Sequence, residues 1–160
     1  YNGNQLILKP HLSTYESQNN YQVKSDGDWG MLGIKGDRIS RAGIQLHFKQ
    51  SGDSLFHIYQ SIHAQSHSHS AALKKAKNIR HSIAIEGNTV HLNNFYTYPL
   101  ADKLRLQDVE IYVEIPAGKS VKINNKVIRL DADTNRDQKM DSDYEEKGEI
   151  QANGSYSHWD

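Results

Sequence analysis

The chain has 160 residues, about the size of one ordinary domain with room for a real core, and its 19 lysines and arginines balance 19 aspartates and glutamates. That neutrality excludes the basic footprint of a nucleic-acid binder, and no nucleic-acid partner is expected. The absence of cysteine excludes disulfides, thiolate metal sites and cysteine nucleophiles.

No apolar run is long enough to span a bilayer, and no signal segment opens the chain. It begins at Tyr1 rather than Met, so we expect a piece of a longer protein. Residues 1–160 are read as a single β-rich domain, with a polar N-terminal segment over 1–30 and an acidic loop with a polar tail over 129–160.

In chain order, residues 11–30 are poor in aliphatics and read as loop or edge structure. Gly30, Gly33 and Gly36 recur at every third position, but no helix follows them, so tight turns at strand ends are expected rather than a phosphate cradle. "GIQLHF" alternates with Ile44, Leu46 and Phe48 on one side. The next segment, "HIYQSIHAQSHSHS", concentrates histidines; His57 and His63 share parity if it is a strand, which places both on a solvent face. His63, His67 and His69 have the two- and four-residue spacings that let imidazoles share a zinc ion, although serine and glutamine fill the gaps and a polar loop before a helix fits the same text.

Ala72, Leu73, Ala76, Ile79 and Ile83 recur at helical spacing, which predicts one helix of about three turns near 70–80 with Ser70 as N-cap. "SIAIEGNTVHL" then reads as a hairpin about Glu86-Gly87-Asn88, and "SVKINNKVIRL" as a second about Asn124-Asn125. Between them "VEIYVEI" gives the clearest strand. Val109, Ile111, Val113 and Ile115 form its core side, and Glu110, Tyr112 and Glu114 its outer side, where substitution of Glu110 is expected to cost little. Pro116 and Gly118 end this strand.

The aspartate run 129–146 invites a calcium reading. In EF-hand register Asp133, Asn135, Asp137 and Asp141 take positions 1, 3, 5 and 9, and Lys139 offers its carbonyl at 7. The turn glycine is replaced by Gln138 and the bidentate carboxylate by Tyr144, so a solvated acidic loop is the expectation and calcium its alternative; no cofactor is expected otherwise. A hydrolase is supported only by the general supply of Ser, His and Asp, without a G-x-S-x-G elbow.

Residues 44–121 carry a family resemblance. The order is a strand ending in "GDS", a strand "FHIYQSIHA", the helix "AALKKAKNI" with Ala72, Ala76, Asn78 and Ile79, a strand pair, and then a string with Leu104, Arg105, Gln107 and Val109 before a Pro-x-Gly turn at Pro116 and Gly118. This order resembles the extracytoplasmic C-terminal domain of PspC-domain (phage shock protein C-like) membrane proteins of Bacteroidetes, which is similar to the toast-rack and head-adhesin group. The chain departs from it in the His/Ser-rich stretch 63–70. The resemblance implies a stacked β-sheet or single-stranded β-helix-like domain, with a β-sandwich as the alternative, and a noncatalytic sensing or scaffolding role in envelope stress. It also implies a periplasmic location within an inner-membrane protein, the membrane being met only through a transmembrane segment absent from this chain. The partner would be another protein or a second copy, met through a sheet face or edge. A secreted carbohydrate-binding or adhesin-like module, with Trp29, Trp159 or tyrosines stacking on sugar and the aspartate loop holding structural calcium, is the competing function.

Overall fold

A computed structural model describes residues 1–11, 24–25, 31–102, 107–130, 145–151 and 153–159. Fourteen strands among them form three sheets. Sheet A has the order β12(Lys126–Ile128), β11(Ser120–Ile123), β1(Gln5–His11), β8(Thr89–Asn93), β7(Ile83–Glu86). Sheet B runs β2(Lys24–Ser25), β3(Met31–Lys35), β4(Arg38–Ala42), β9(Phe95–Pro99). Sheet C runs β14(Tyr156–His158), β13(Glu145–Ile150), β5(Ile44–Gln50), β10(Asp108–Ile115), β6(His57–His63).

The path through these sheets is a coil. β8, β9, β10 and β11 lie in sheets A, B, C and A in turn, so consecutive strands along this stretch turn a corner instead of pairing. Strands from different coils then meet in parallel, β1 with both β8 and β11 and β5 with β10, while hairpins such as β7–β8 and β11–β12 add antiparallel partners. This is the stacked, coil-like β architecture expected from the sequence.

Corners need residues that turn. Gly43 joins β4 to β5 at φ +106°, where a side chain would be strained and an added Cβ would meet the Glu149 carboxylate. Between β10 and β11 the Lys119 amide donates to the Pro116 carbonyl at 3.1 Å, with Gly118 at φ +74°, the pattern of a type II turn. At the β8–β9 corner Asn94 is fully buried and its backbone amide donates to the His11 carbonyl at 3.0 Å.

One core lies inside the coil. Leu6, Leu8, Val90, Leu92, Val121 and Ile123 come from sheet A, Ile39, Tyr96 and Tyr98 from sheet B, and Ile44, Leu46, Phe48, Val109, Ile111, Val113 and Ile115 from sheet C. The alternation of β10 is therefore realised as read, every odd position being buried and every even one partly exposed.

The helix α1(His69–Asn78) corrects two expectations. Its N-cap is Ser68, whose hydroxyl accepts from the Ala71 amide at 3.2 Å, so Ser70 lies inside the first turn. Ile79 is an extended C-cap and Ile83 belongs to β7, so the helical spacing of the apolar residues runs past the helix itself. None of its residues is fully buried. The turns read at 87–88 and 124–125 are both present as two-residue connections, Asn124 at φ +51°.

Candidate functional site

The outer face of sheet C gathers side chains that strand alternation alone leaves scattered. Its register sets Tyr112 of β10 between His47 of β5 and Tyr59 of β6, Glu110 between Gln45 and Ser61, and Glu114 between Lys49 and His57, with His63 opposite Asp108. Cross-strand neighbours of this kind stand close enough to interact across the pleat.

They do so around Glu110. The Tyr112 hydroxyl donates to its Oε2 at 3.1 Å, His63 Nε2 lies 2.9 Å from the same oxygen, and His47 Nε2 lies 3.4 Å from Oε1. Burial by itself would raise this carboxyl, but the Tyr112 hydroxyl and the two imidazoles outweigh it and hold it below the usual glutamate range. Asp108, two residues away, moves the other way, pushed up chiefly by burial. Glu110 is therefore not the indifferent surface group expected of its outward position; only 16% of its side chain is exposed.

The aromatic rings extend the cluster. His47 stacks on Tyr112 with centroids 4.5 Å apart and planes at 11°, and Lys49 Nζ lies 6.0 Å from the same ring. Tyr59 stacks beside His57 at 6.3 Å, and the His57 ring in turn lies 2.9 Å from the Asp53 carboxylate. Glu114 accepts from the Tyr59 hydroxyl at 3.4 Å and pairs with Lys49 at 3.2 Å.

This constellation contains serine, histidine and carboxylate, so its geometry bears on hydrolysis. Ser61 Oγ lies 3.0 Å from His63 Nε2, the same nitrogen that meets Glu110. A nucleophile–base–carboxylate relay needs the serine and the carboxylate on opposite ring nitrogens, so that one orients the imidazole while the other is activated. Here they compete for one nitrogen. What the arrangement offers is a fixed array of hydrogen-bonding groups on the outer face of the sheet.

His63 is thus placed at the end of β6 in contact with Glu110, whereas His67 meets Ser66 at 3.4 Å and His69 opens α1. Among the described residues no group of three or more His, Cys, Asp or Glu side chains is placed to hold a metal ion. Asp133, Asn135, Asp137, Lys139, Asp141, Arg105 and Trp29 lie outside the described residues. Gln107 is buried, and its carbonyl accepts from the Tyr96 hydroxyl at 2.7 Å and from Arg41 at 3.1 Å, which anchors the entry into β10. Pro116 and Gly118 form the corner already described. Sequence reasoning placed His57, His63, Glu110 and Tyr112 on outward faces, but it did not single out His47, Tyr59 or the convergence on Glu110.

A family model described as a toast-rack found in some PspC proteins matches residues 34–153. The chain belongs to this toast-rack family. The match takes in all of β4 to β12, hence the corners at Gly43, Asn94 and Gly118 and the whole cluster around Glu110. It associates the toast-rack domain with PspC proteins. Comparison with the curated proteins and with the solved structures found no match. Among the described residues of the toast-rack domain no helix is long and apolar enough to cross a membrane.

Proposed function

We propose that this toast-rack domain is the noncatalytic, periplasmic sensing and interaction module of a membrane-anchored PspC-type protein, and that it meets a protein partner through the outer face of sheet C. The observation that carries the reading is the cross-strand row His47, Tyr112 and Tyr59 beside the partnered Glu110. Tyr59 offers an apolar body with a polar tip at the exposed end of the row, while His47 is itself buried and supports Tyr112 by stacking on it, which suits a surface that is wet in the free protein and covered in a complex. Because their geometry is held by hydrogen bonds, little side-chain entropy is left to lose on docking.

A glycan is the competing occupant, and it would need contiguous exposed rings. Tyr59 is 49% exposed and Trp159 38% exposed, but they belong to opposite edges of sheet C, and between them Tyr112 is stacked by His47. That spacing supports a protein partner over a sugar chain.

The test is photocrosslinking in cells that make the full-length protein, with a reactive residue at Tyr59 or, on the far edge of sheet A, at Ile85. Crosslinks to a protein from Tyr59 and not from Ile85, reduced by Glu110→Ala, are the expected result. Equal labelling from both positions, or a domain that resists external protease after the outer membrane is opened, would overturn the reading.

A further inference from the structure

We propose that the cleft between Arg38 and Arg80 is a binding site for a carboxylate. It lies away from the Glu110 cluster, where the three sheets meet. Arg38 of β4 and Phe95 and Thr97 of β9 come from sheet B, and Asn93 from β8 of sheet A. The link from α1 to β7 supplies Arg80, His81 and Ser82, and the His81 ring reaches Gln60 of sheet C at 3.1 Å. Concave junctions between structural layers are where small-ligand sites form.

The charge of the cleft has one sign. Arg38 and Arg80 line it with no acidic residue among the lining residues, and neither is in an ion pair among the described residues. Arg38 is held ready: its Nε donates to Thr97 Oγ1 at 3.2 Å, and its Nη2 donates to the carbonyls of Asn78 at 3.0 Å and Thr97 at 3.1 Å. Arg80 is fixed at its main chain by reciprocal bonds with Thr97 at 2.8 and 2.9 Å, and the residue is exposed. His81, whose Nε2 lies 2.8 Å from the Asn93 carbonyl, is kept neutral by burial. It spends its N–H on that carbonyl and adds no charge.

A carboxylate fits this balance better than a phosphate dianion. Asn78 is the last residue of α1, so the negative end of the helix dipole already offsets part of the Arg38 charge. With the Arg38 Nε and Nη2 donors already spent on Thr97 and Asn78, Arg80 carries the guanidinium left to grip an anion, and its planar fork matches a carboxylate. The cleft of about 280 Å³, with the buried Phe95 among its lining, takes a carboxylate with a few carbons. Such a group comes either from a small free acid or from an aspartate or glutamate side chain of a protein partner.

The experiment follows the Arg80 Nε–Hε and Thr97 amide resonances of the 160-residue chain during titration with sodium acetate, terminally blocked aspartate, inorganic phosphate, or sodium chloride at matched ionic strength. Saturable shifts with acetate or blocked aspartate, weakened at least about tenfold in Arg80→Ala, are expected. Tighter binding of blocked aspartate than of acetate by about tenfold assigns the site to a protein side chain, and equal binding assigns it to a free acid. Both outcomes support the site. Should Arg80→Ala lose its dispersed spectrum, Ser82→Glu, which brings a competing carboxylate to the mouth, is expected to weaken binding by at least the same factor. Shifts no different from those in chloride, shifts unchanged in the folded variant, or phosphate binding about tenfold tighter than both carboxylates would overturn the assignment.

Discussion

Ile111→Ala tests the central claim that the coil is held by one shared core. Ile111 is fully buried in β10, with Leu46 of β5 and Gln60 of β6 as its register partners. The substitution removes three carbons at about 0.8 kcal/mol each, roughly 2.4 kcal/mol of transfer free energy. The cavity adds roughly 1–2 kcal/mol, because hydrogen bonds on both sides of β10 prevent its collapse onto the gap, for a total of about 3.5–4.5 kcal/mol. In urea, at a slope of about 2 kcal/mol per molar, the midpoint falls by roughly 2 M with the slope unchanged. On heating, Tm falls by roughly 7–18 °C for a domain of this size. Lys122→Ala, at an exposed position of β11, is the control and changes stability by less than about 0.5 kcal/mol. Equal and small effects of the two would refute the face assignment of β10, and a changed urea slope for Ile111→Ala would show that the loss is not one of native packing alone.

The outer face of β10 carries the next expectation: Glu110→Ala removes the shared acceptor of Tyr112 and His63 and costs about 1–3 kcal/mol at pH 7, read from urea midpoints. Because the folded carboxyl is held below the usual 4.5, this contribution is complete above that value and is lost as pH falls through the lower folded value. The gap between wild type and variant therefore closes in strong acid, and a gap constant from pH 7 to the acid limit would refute the assignment. His81 has the corresponding effect at milder pH. Burial holds its folded pKa below 6.5, so the unfolded chain takes up a proton first and stability falls as pH drops below 6.5; the loss should be smaller in His81→Gln, measured as the pH dependence of Tm. Millimolar calcium is expected to leave Tm unchanged against chelator, whereas a site at a hundredfold its Kd would add about 2.7 kcal/mol; a rise abolished by Asp133→Ala with Asp137→Ala would establish the calcium loop instead.

The sequence by itself determined the inward sides of the strands that alternate clearly, but not β1 or β13, which lie in the stretches read as a polar N-terminal segment and a polar tail and yet bury Leu6, Leu8 and Ile150. Alternation over 109–115 and 44–48 sorts residues by side because a strand turns each side chain 180° from the last, a purely local property. Turn chemistry was local too: Gly87 and Asn124 adopt positive φ in two-residue connections that their residue types announce. The helix was legible in kind but displaced at its start, because Ser68 and Ser70 are equivalent as residue types and only the hydrogen bond to Ala71 distinguishes the cap. The tertiary structure alone decided which strands are neighbours. Nothing local in β5 says that it pairs in parallel with a strand more than sixty residues later, yet that pairing brings His47 to Tyr112 and Glu110. The same holds for Arg38 and Arg80, which meet because β9 pairs with β4 on one edge and bridges to Arg80 on the other. Residue type and spacing encode the direction of a side chain from its own backbone, whereas the partner it meets depends on how the separate strands close around a common apolar core.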